Sequence, residues 1–302
     1  MLTVGAASVR PQVKAESEEK LKVMPLGDSI TDGFSTVGGY RNSLCSLLQE
    51  NGYSDKIDFV GPNWGGSGYD PQHAGFSGYS IDNIAQEDSI SGQRTGLSSF
   101  IDWLMETYPA DVVMLQIGTN DILSLYDLDN IGTRLESLVD TILTYIPDDG
   151  MLYLATIPCM DANNTLYINE YYFTVESMDA YIDAYNAQIR EIVERKAAQG
   201  ENIQLADVNV VLDKSDLYDG VHPTESGYAK MGEFWYEKLA DYLQGSAGEE
   251  KYSAADLVIL YKYVTKVGTI TVQQAEKLDM NGDKLLNSLD ITLLRKAVLE
   301  QQ

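Results

Sequence analysis

The sequence predicts an α/β sandwich, a five-stranded parallel sheet with helices on both faces to make three layers, followed by a small all-α unit that carries a calcium loop. Three observations predict it. Five apolar runs of strand length recur along the chain, segments of helical periodicity fill the gaps between them, and the alternation stops after residue 243. Strands that alternate with helices form a parallel sheet covered on both faces. In open sheets of that kind ligands bind beyond the carboxyl ends of the strands.

Taken in order, the first apolar run, 21–26, suits a strand buried on both faces, and Ser29 follows it. A helix at 40–51 leads to the second run, 56–60, with Gly78 in the connection beyond. A helix at 97–108 precedes the third run, 112–117, and Asn120 follows. A helix at 131–146 precedes the fourth run, 151–157, and a long helix at 178–199 the fifth, 203–208, after which comes His222. The last helix of this series, 225–243, is opened by Pro223-Thr224-Glu225, a helix-start signal. Residues nearly two hundred positions apart therefore converge on one rim of the sheet.

That rim collects the chemistry of a serine esterase. A hydroxyl becomes a useful nucleophile when a base takes its proton, and the base works best when a carboxylate fixes its tautomer and stabilises the imidazolium. The chain has two histidines, and His222, taken as the base, has an aspartate, Asp219, three positions before it, as His73 has Asp70. Positions i and i+3 of a tight turn share a side, so Asp219 can reach one imidazole nitrogen while the other faces Ser29. The backbone N–H groups of Ser29 and Gly78 and the side-chain amide of Asn120 are the candidate donors to a developing oxyanion, with Gly75 a competing one. Asp28 either braces the nucleophile turn or caps the helix after it.

Four short segments carry a family resemblance. Gly27-Asp28-Ser29-Ile30, Ser77-Gly78-Tyr79, Gly118-Thr119-Asn120-Asp121 and Asp219-Gly220-Val221-His222-Pro223 stand in the order of the blocks of the SGNH (GDSL-type) hydrolases. The run 21–242 most resembles carbohydrate esterase family 3, the acetylxylan esterases. The resemblance implies a flavodoxin-like strand order. It carries over Ser29, Gly78, Asn120 and His222 as the name-giving residues and Asp219 as the third triad member. Ile30 stands where the short GDSL signature has leucine.

After residue 243 comes a polar stretch, 244–251, that reads as a linker, and then a repeat. Residues 253–260 align with 287–294, thirty-four positions later. In the second copy Asp279, Asn281, Asp283, Asn287 and Asp290 occupy positions 1, 3, 5, 9 and 12 of a calcium loop, with the Leu285 carbonyl at position 7. Lys284 takes position 6, where the sharp turn favours glycine, at a cost of about 1 kcal/mol. The first loop, 245–256, has Gly245 and Ala247 where ligands should be, so one calcium site is expected rather than two. The alternative is a solvated acidic turn. The pair of loops, each followed by an apolar helix, resembles a dockerin, the module that plugs cellulosomal enzymes into a cohesin. That resemblance implies cohesin contact at Ala254, Ala255, Ser288 and Leu289.

The expected organisation is an N-terminal arm at 1–20, either an export-signal remnant around Val13-Lys14-Ala15 or a disordered arm, a hydrolase at 21–243, the linker, and the dockerin-like unit at 252–302. A net charge of −25 argues against nucleic acid or an anionic membrane as partner and disfavours a polyanionic substrate. Twenty tyrosines against six phenylalanines suit sugar faces. Cys45 and Cys159 read as small buried hydrophobes. The expected activity is removal of O-acetyl groups from xylan or a related polysaccharide, with no cofactor for the chemistry, by a secreted, cellulosome-borne enzyme. A lipolytic or other SGNH deacetylase, or a non-catalytic carbohydrate-binding module, stands as the alternative.

Overall fold

The computed structural model describes residues 19–246 except 165, and 254–300 except 269, 271–274, 276, 277 and 282. The expected N-terminal arm, but for its last two positions, and residues 247–253 of the linker and first loop lie outside the described residues. The chain divides into two compact units, Met1–Tyr236 and Glu237–Gln302.

The first unit is built on a seven-stranded sheet. All five expected strands are present, as β1 (Leu21–Gly27), β2 (Ile57–Phe59), β5 (Val112–Gln116), β6 (Met151–Ala155) and β7 (Ile203–Ala206). Two short ones join them, β3 (Asn63–Trp64) and β4 (Gln72–Gly75). β2 pairs with the start of β1, and β4 takes over beside its end, at Leu26 and Gly27. From β1 the sheet runs β5, β6, β7, all parallel, and only the β3–β4 pair is antiparallel. In order of appearance the five expected strands thus lie 2-1-3-4-5, the flavodoxin-like order, with the switch in direction between β1 and β5, where ligand crevices form. Gly78 was expected after the second apolar run. It follows β4 instead, because two further strands intervene before the chain returns to the rim.

Helices cover both faces. On one, α3 (Ile101–Thr107) and α6 (Val175–Ala198) pack on α5 (Ile131–Leu143), and Leu104, Leu135, Leu138, Ile182 and Ile189 meet Met24, Leu26, Val113, Leu115, Leu152 and Leu154 in one buried core. On the other, α2 (Tyr40–Glu50) lies so close to α7 (Glu225–Ser246) that a Cβ on Gly232 would sit 2.7 Å from the Tyr40 carbonyl. The Trp235 ring there lies between Tyr40 and Tyr153, at 6.2 and 6.4 Å. Even and odd strand positions serve opposite faces, which is why these strands read as unbroken apolar runs.

Several boundaries differ from expectation for local reasons. α6 starts three residues early because Thr174 and Ser177 form a reciprocal capping box. The helix expected at 97–108 opens with a 3-10 turn, Leu97–Ser99. Residues 244–246, expected as linker, complete α7. In the second unit α8 (Ala254–Val264) and α9 (Ser288–Glu300) pack around Leu260, Leu278, Leu294 and Val298.

Candidate active site

β1 delivers the chain to the rim at Gly27, where a Cβ would lie 2.2 Å from the Gln116 carbonyl, so only glycine lets β1 and β5 approach there. Asp28 follows as a cap, its Oδ1 accepting the Ile30 N–H at 3.0 Å, and the short helix α1 (Ser29–Asp32) begins. Ser29 is its first residue, so its N–H belongs to the group that has no acceptor within a helix. The Ser29 Oγ lies 2.8 Å from Nε2 of His222. Nδ1 of that ring lies 2.7 Å from Asp219 Oδ2. Asp219 Oδ1 accepts the N–H groups of Val221 at 3.0 Å and His222 at 2.8 Å. Burial pushes the Asp219 carboxyl up, but the hydrogen bonds from the His222 side chain and backbone outweigh it and hold the group below its ordinary value. All three side chains are nearly out of contact with water, at 6% exposure for Ser29, 1% for His222 and 2% for Asp219.

The candidate oxyanion donors come from two other loops. The Gly75 N–H is committed to His73 Nδ1 at 3.1 Å. His73 is pushed down to about 3 by burial and then by Arg41, so it stays a neutral acceptor. Gly78, in the left-handed region at φ 82°, remains the candidate in that loop. Asn120 stands on α4 (Thr119–Ser124), whose cap Gly118 has φ 116° and lies so close to the Tyr185 ring that a Cβ would overlap it at 2.3 Å. One proton of the Asn120 amide goes to the Tyr79 carbonyl at 2.8 Å, which orients the group and leaves its second N–H to donate. The arrangement can deprotonate a hydroxyl, stabilise the imidazolium that results and meet a developing negative oxygen.

Sequence reasoning missed the aromatic walls and the charges behind the loops. Phe34 lies on the His222 ring at 4.3 Å, and Tyr167 meets it edge-on at 5.0 Å. Both are nearly half exposed. Asp121 is fully buried, accepts from Arg134 at 2.7 Å and from the Ile81 N–H at 3.1 Å, and is pushed up to about 6 by burial against the pull of Arg134. Asp28 is likewise pushed up to about 6 by burial, against the Ile30 N–H and His222. Cys45 and Cys159 are both free, their thiols raised to about 11 by burial.

In the second unit Asp279, Asn281, Asp283, Leu285 and Asn287 stand on one loop before α9, and Asp290 in the first turn of α9. Lys284 adopts φ 64°, the left-handed turn that position 6 requires. Asp279 Oδ2 accepts the Lys284 N–H at 2.8 Å, Asp283 Oδ1 the Leu285 N–H at 2.8 Å, and the buried Asp290 the N–H groups of Met280 and Asn287 at 3.0 and 2.9 Å. Among the described residues no three Asp, Glu, His or Cys side chains form a metal cluster. The donor set of carboxylates, amides and a carbonyl nevertheless fits a hard cation, since those oxygens share one loop with the required turn. Ser288 and Leu289 are exposed at the start of α9, whereas the side chains of Ala254 and Ala255 lie outside the described residues.

Comparison with known proteins agrees with both units. The profile of the GDSL-like lipase/acylhydrolase family matches residues 23–235, and that of the dockerin type I domain residues 248–299. Over 99% of its length the chain is 33% identical to a multidomain esterase of Ruminococcus flavefaciens, of which it spans 38%. A family 3 carbohydrate esterase of Clostridium thermocellum is similar at 30% identity and TM-score 0.57, over 76% of this chain and all of that one. A carbohydrate esterase family 3 structure from Talaromyces cellulolyticus shares the fold at 21% identity and TM-score 0.58, over 74% of this chain and 99% of that one. The chain therefore belongs to the GDSL-like lipase/acylhydrolase, or SGNH, family, and is a carboxylic ester hydrolase that carries a dockerin type I domain.

Proposed function

We propose that the enzyme removes O-acetyl groups from acetylated xylan or a related plant polysaccharide. The observation that carries this reading is the unbroken Ser29–His222–Asp219 chain of hydrogen bonds with two half-exposed aromatic rings, Phe34 and Tyr167, against His222. Aromatic faces suit the C–H faces of sugars. Likeness to the Clostridium thermocellum carbohydrate esterase supports the same class of substrate.

In the proposed mechanism Ser29 Oγ attacks the acetyl carbonyl carbon while its proton passes to His222 Nε2. Asp219 holds the imidazolium in place. The oxyanion accepts from Ser29 N–H, Gly78 N–H and the Asn120 amide. Collapse of this intermediate breaks the ester C–O bond, and His222 returns the proton to the departing sugar oxygen. Water then attacks the acetyl-enzyme through the same base, and acetate leaves with Ser29 restored.

The hydrolase is proposed to span 21–243 and the dockerin-like unit 252–302. One calcium ion is assigned to Asp279, Asn281, Asp283, Leu285, Asn287 and Asp290, where it would hold the loop that starts α9. A cohesin of a scaffolding protein is the proposed partner, met by Ala254, Ala255, Ser288 and Leu289, and the enzyme is proposed to act outside the cell.

Acetate release from acetylated xylan, beside hydrolysis of a long-chain acyl ester, tests this reading. The wild-type protein is expected to prefer xylan, and Ser29→Ala to lose at least about three orders of magnitude in kcat. A preference for the long chain would move the substrate to lipids, and near-normal turnover by Ser29→Ala would remove it as the nucleophile.

A further inference from the structure

A groove of about 300 Å³ runs between the segment 90–94 and the segment 167–173 of the first unit. Its ends touch the catalytic residues. Tyr167 meets the His222 ring, and Arg94 Nη1 donates to the Gly78 carbonyl at 3.5 Å. We propose that this groove is the subsite for the sugar ring that bears the ester, with Arg94 its polar anchor and Tyr167 and Tyr172 its stacking walls. The inference rests on the polysaccharide reading above.

Arg94 is built as a fixed donor. Its backbone is held on both sides by Ile84, at 2.9 Å from its N–H and 3.0 Å from its carbonyl. Its Nη2 donates to Ser91 Oγ at 3.0 Å, and that hydroxyl is in turn 2.8 Å from Ser124 Oγ on α4. The Nε–H is buried and finds no acceptor among the described residues. Among the described residues Arg94 also has no carboxylate at ion-pair distance, in a chain with 46 acidic side chains against 21 basic ones. The guanidinium so held keeps a second N–H on each of Nη1 and Nη2, which can meet oxygen acceptors on a ligand. Across the groove Asn169 uses its Oδ1 on the Tyr171 N–H at 2.9 Å, which leaves its amide N–H groups to donate.

This mixture selects against an acyl chain. Hydrocarbon laid in the groove would bury the Arg94 and Asn169 donors unpaired, whereas sugar hydroxyl and ring oxygens satisfy them. Tyrosine rings at the same time cover the C–H face of a pyranose. With its sugar in the groove, a substrate carries the ester towards Ser29 from the alcohol side.

The test compares kcat/KM of the full chain with that of Arg94→Ala, Arg94→Lys and Tyr172→Ala on short acetylated xylo-oligosaccharides and on 4-nitrophenyl acetate. Each variant is expected to lose about tenfold or more on the oligosaccharide beyond any loss on the small ester, chiefly through KM. Arg94→Lys is expected to recover little, because the planar fork is lost while the charge stays. Equal losses on both substrates would mean that Arg94 only braces the Gly78 carbonyl, and the subsite would be refuted while the polysaccharide reading stood. A wild-type enzyme that cleaves 4-nitrophenyl acetate but no acetylated oligosaccharide would refute that reading and the subsite together. Tyr172 is 42% exposed, so its truncation leaves the fold intact and decides the matter if either Arg94 variant misfolds.

Discussion

Asp28 shows how a single residue beside the candidate nucleophile can oppose the stability of the fold. Its side chain is fully buried, and its pKa is raised from 3.8 to about 6 by burial, despite the Ile30 N–H and the nearby imidazole. Because the folded value lies above the unfolded one, the folded state binds this proton more tightly. Stability is therefore lost as the pH rises from about 4 through about 6. An asparagine in its place would keep an oxygen for the Ile30 N–H and could not ionise, so Asp28→Asn is expected to stabilise the protein at pH 8 by on the order of 3 kcal/mol. That gain should shrink to nothing below pH 4, and urea denaturation at both pH values checks it; a difference that ignores pH would sink the argument. At this scale the chain was legible where chemistry restricts the choice. Each of the two histidines stands three positions after an aspartate, so spacing alone left two candidates, and the Asp219-Gly220-Val221-His222-Pro223 block selected the pair now seen at 2.7 Å. Phe34, Tyr167 and Arg94 were not legible, because a side chain on a loop follows no period and its partner is set by how distant loops meet.

Among the elements, α1 carries Ser29 yet is only four residues long, too short to hold itself. Arg41, buried on α2, supplies the hold. Its guanidinium donates to the Thr31 and Asp32 carbonyls at 3.2 Å each, to Gly65 at 2.8 Å and to Pro71 at 3.3 Å. Arg41→Met would leave several buried acceptors unpaired, and a loss of about 3 kcal/mol in urea denaturation is expected together with a fall of roughly tenfold in kcat. Unchanged stability would mean that water replaces the guanidinium there and that α1 stands without it. Of the five expected strands, β1, β5 and β6 were the most legible because burial on both faces writes a nearly continuous apolar run. β3 (Asn63-Trp64) and β4 (Gln72-His73-Ala74-Gly75) carry no apolar run, and the helices α1 and α4 are shorter than any period that could announce them. β4 exists because Leu26 and Gly27 extend β1 past the end of β2 and offer a free edge to Ala74 and Gly75.

For the whole molecule the two units make separable demands. The proposed calcium belongs to the second unit, and no step of the proposed ester cleavage passes through it. Chelation is expected to abolish retention on an immobilised cohesin while acetate release stays within about twofold; a parallel loss of both would contradict the division of labour. The second unit was legible through its repeat, thirty-four residues apart, and through oxygen-bearing side chains at the fixed intervals of a calcium loop. The point where the units divide, between Tyr236 and Glu237, was not, because a continuous helix carries no composition break there. The contact between Ser29 and His222 joins positions 193 residues apart, and it has a consequence for the order of synthesis. A chain emerging from the ribosome presents Ser29 first and His222 only after the last strand of the sheet has followed. On the proposed roles every shorter nascent chain holds the Ser29 hydroxyl without the His222 base, so ester cleavage is expected only once the sheet can close, and a ribosome stalled before residue 222 should yield no stray esterase.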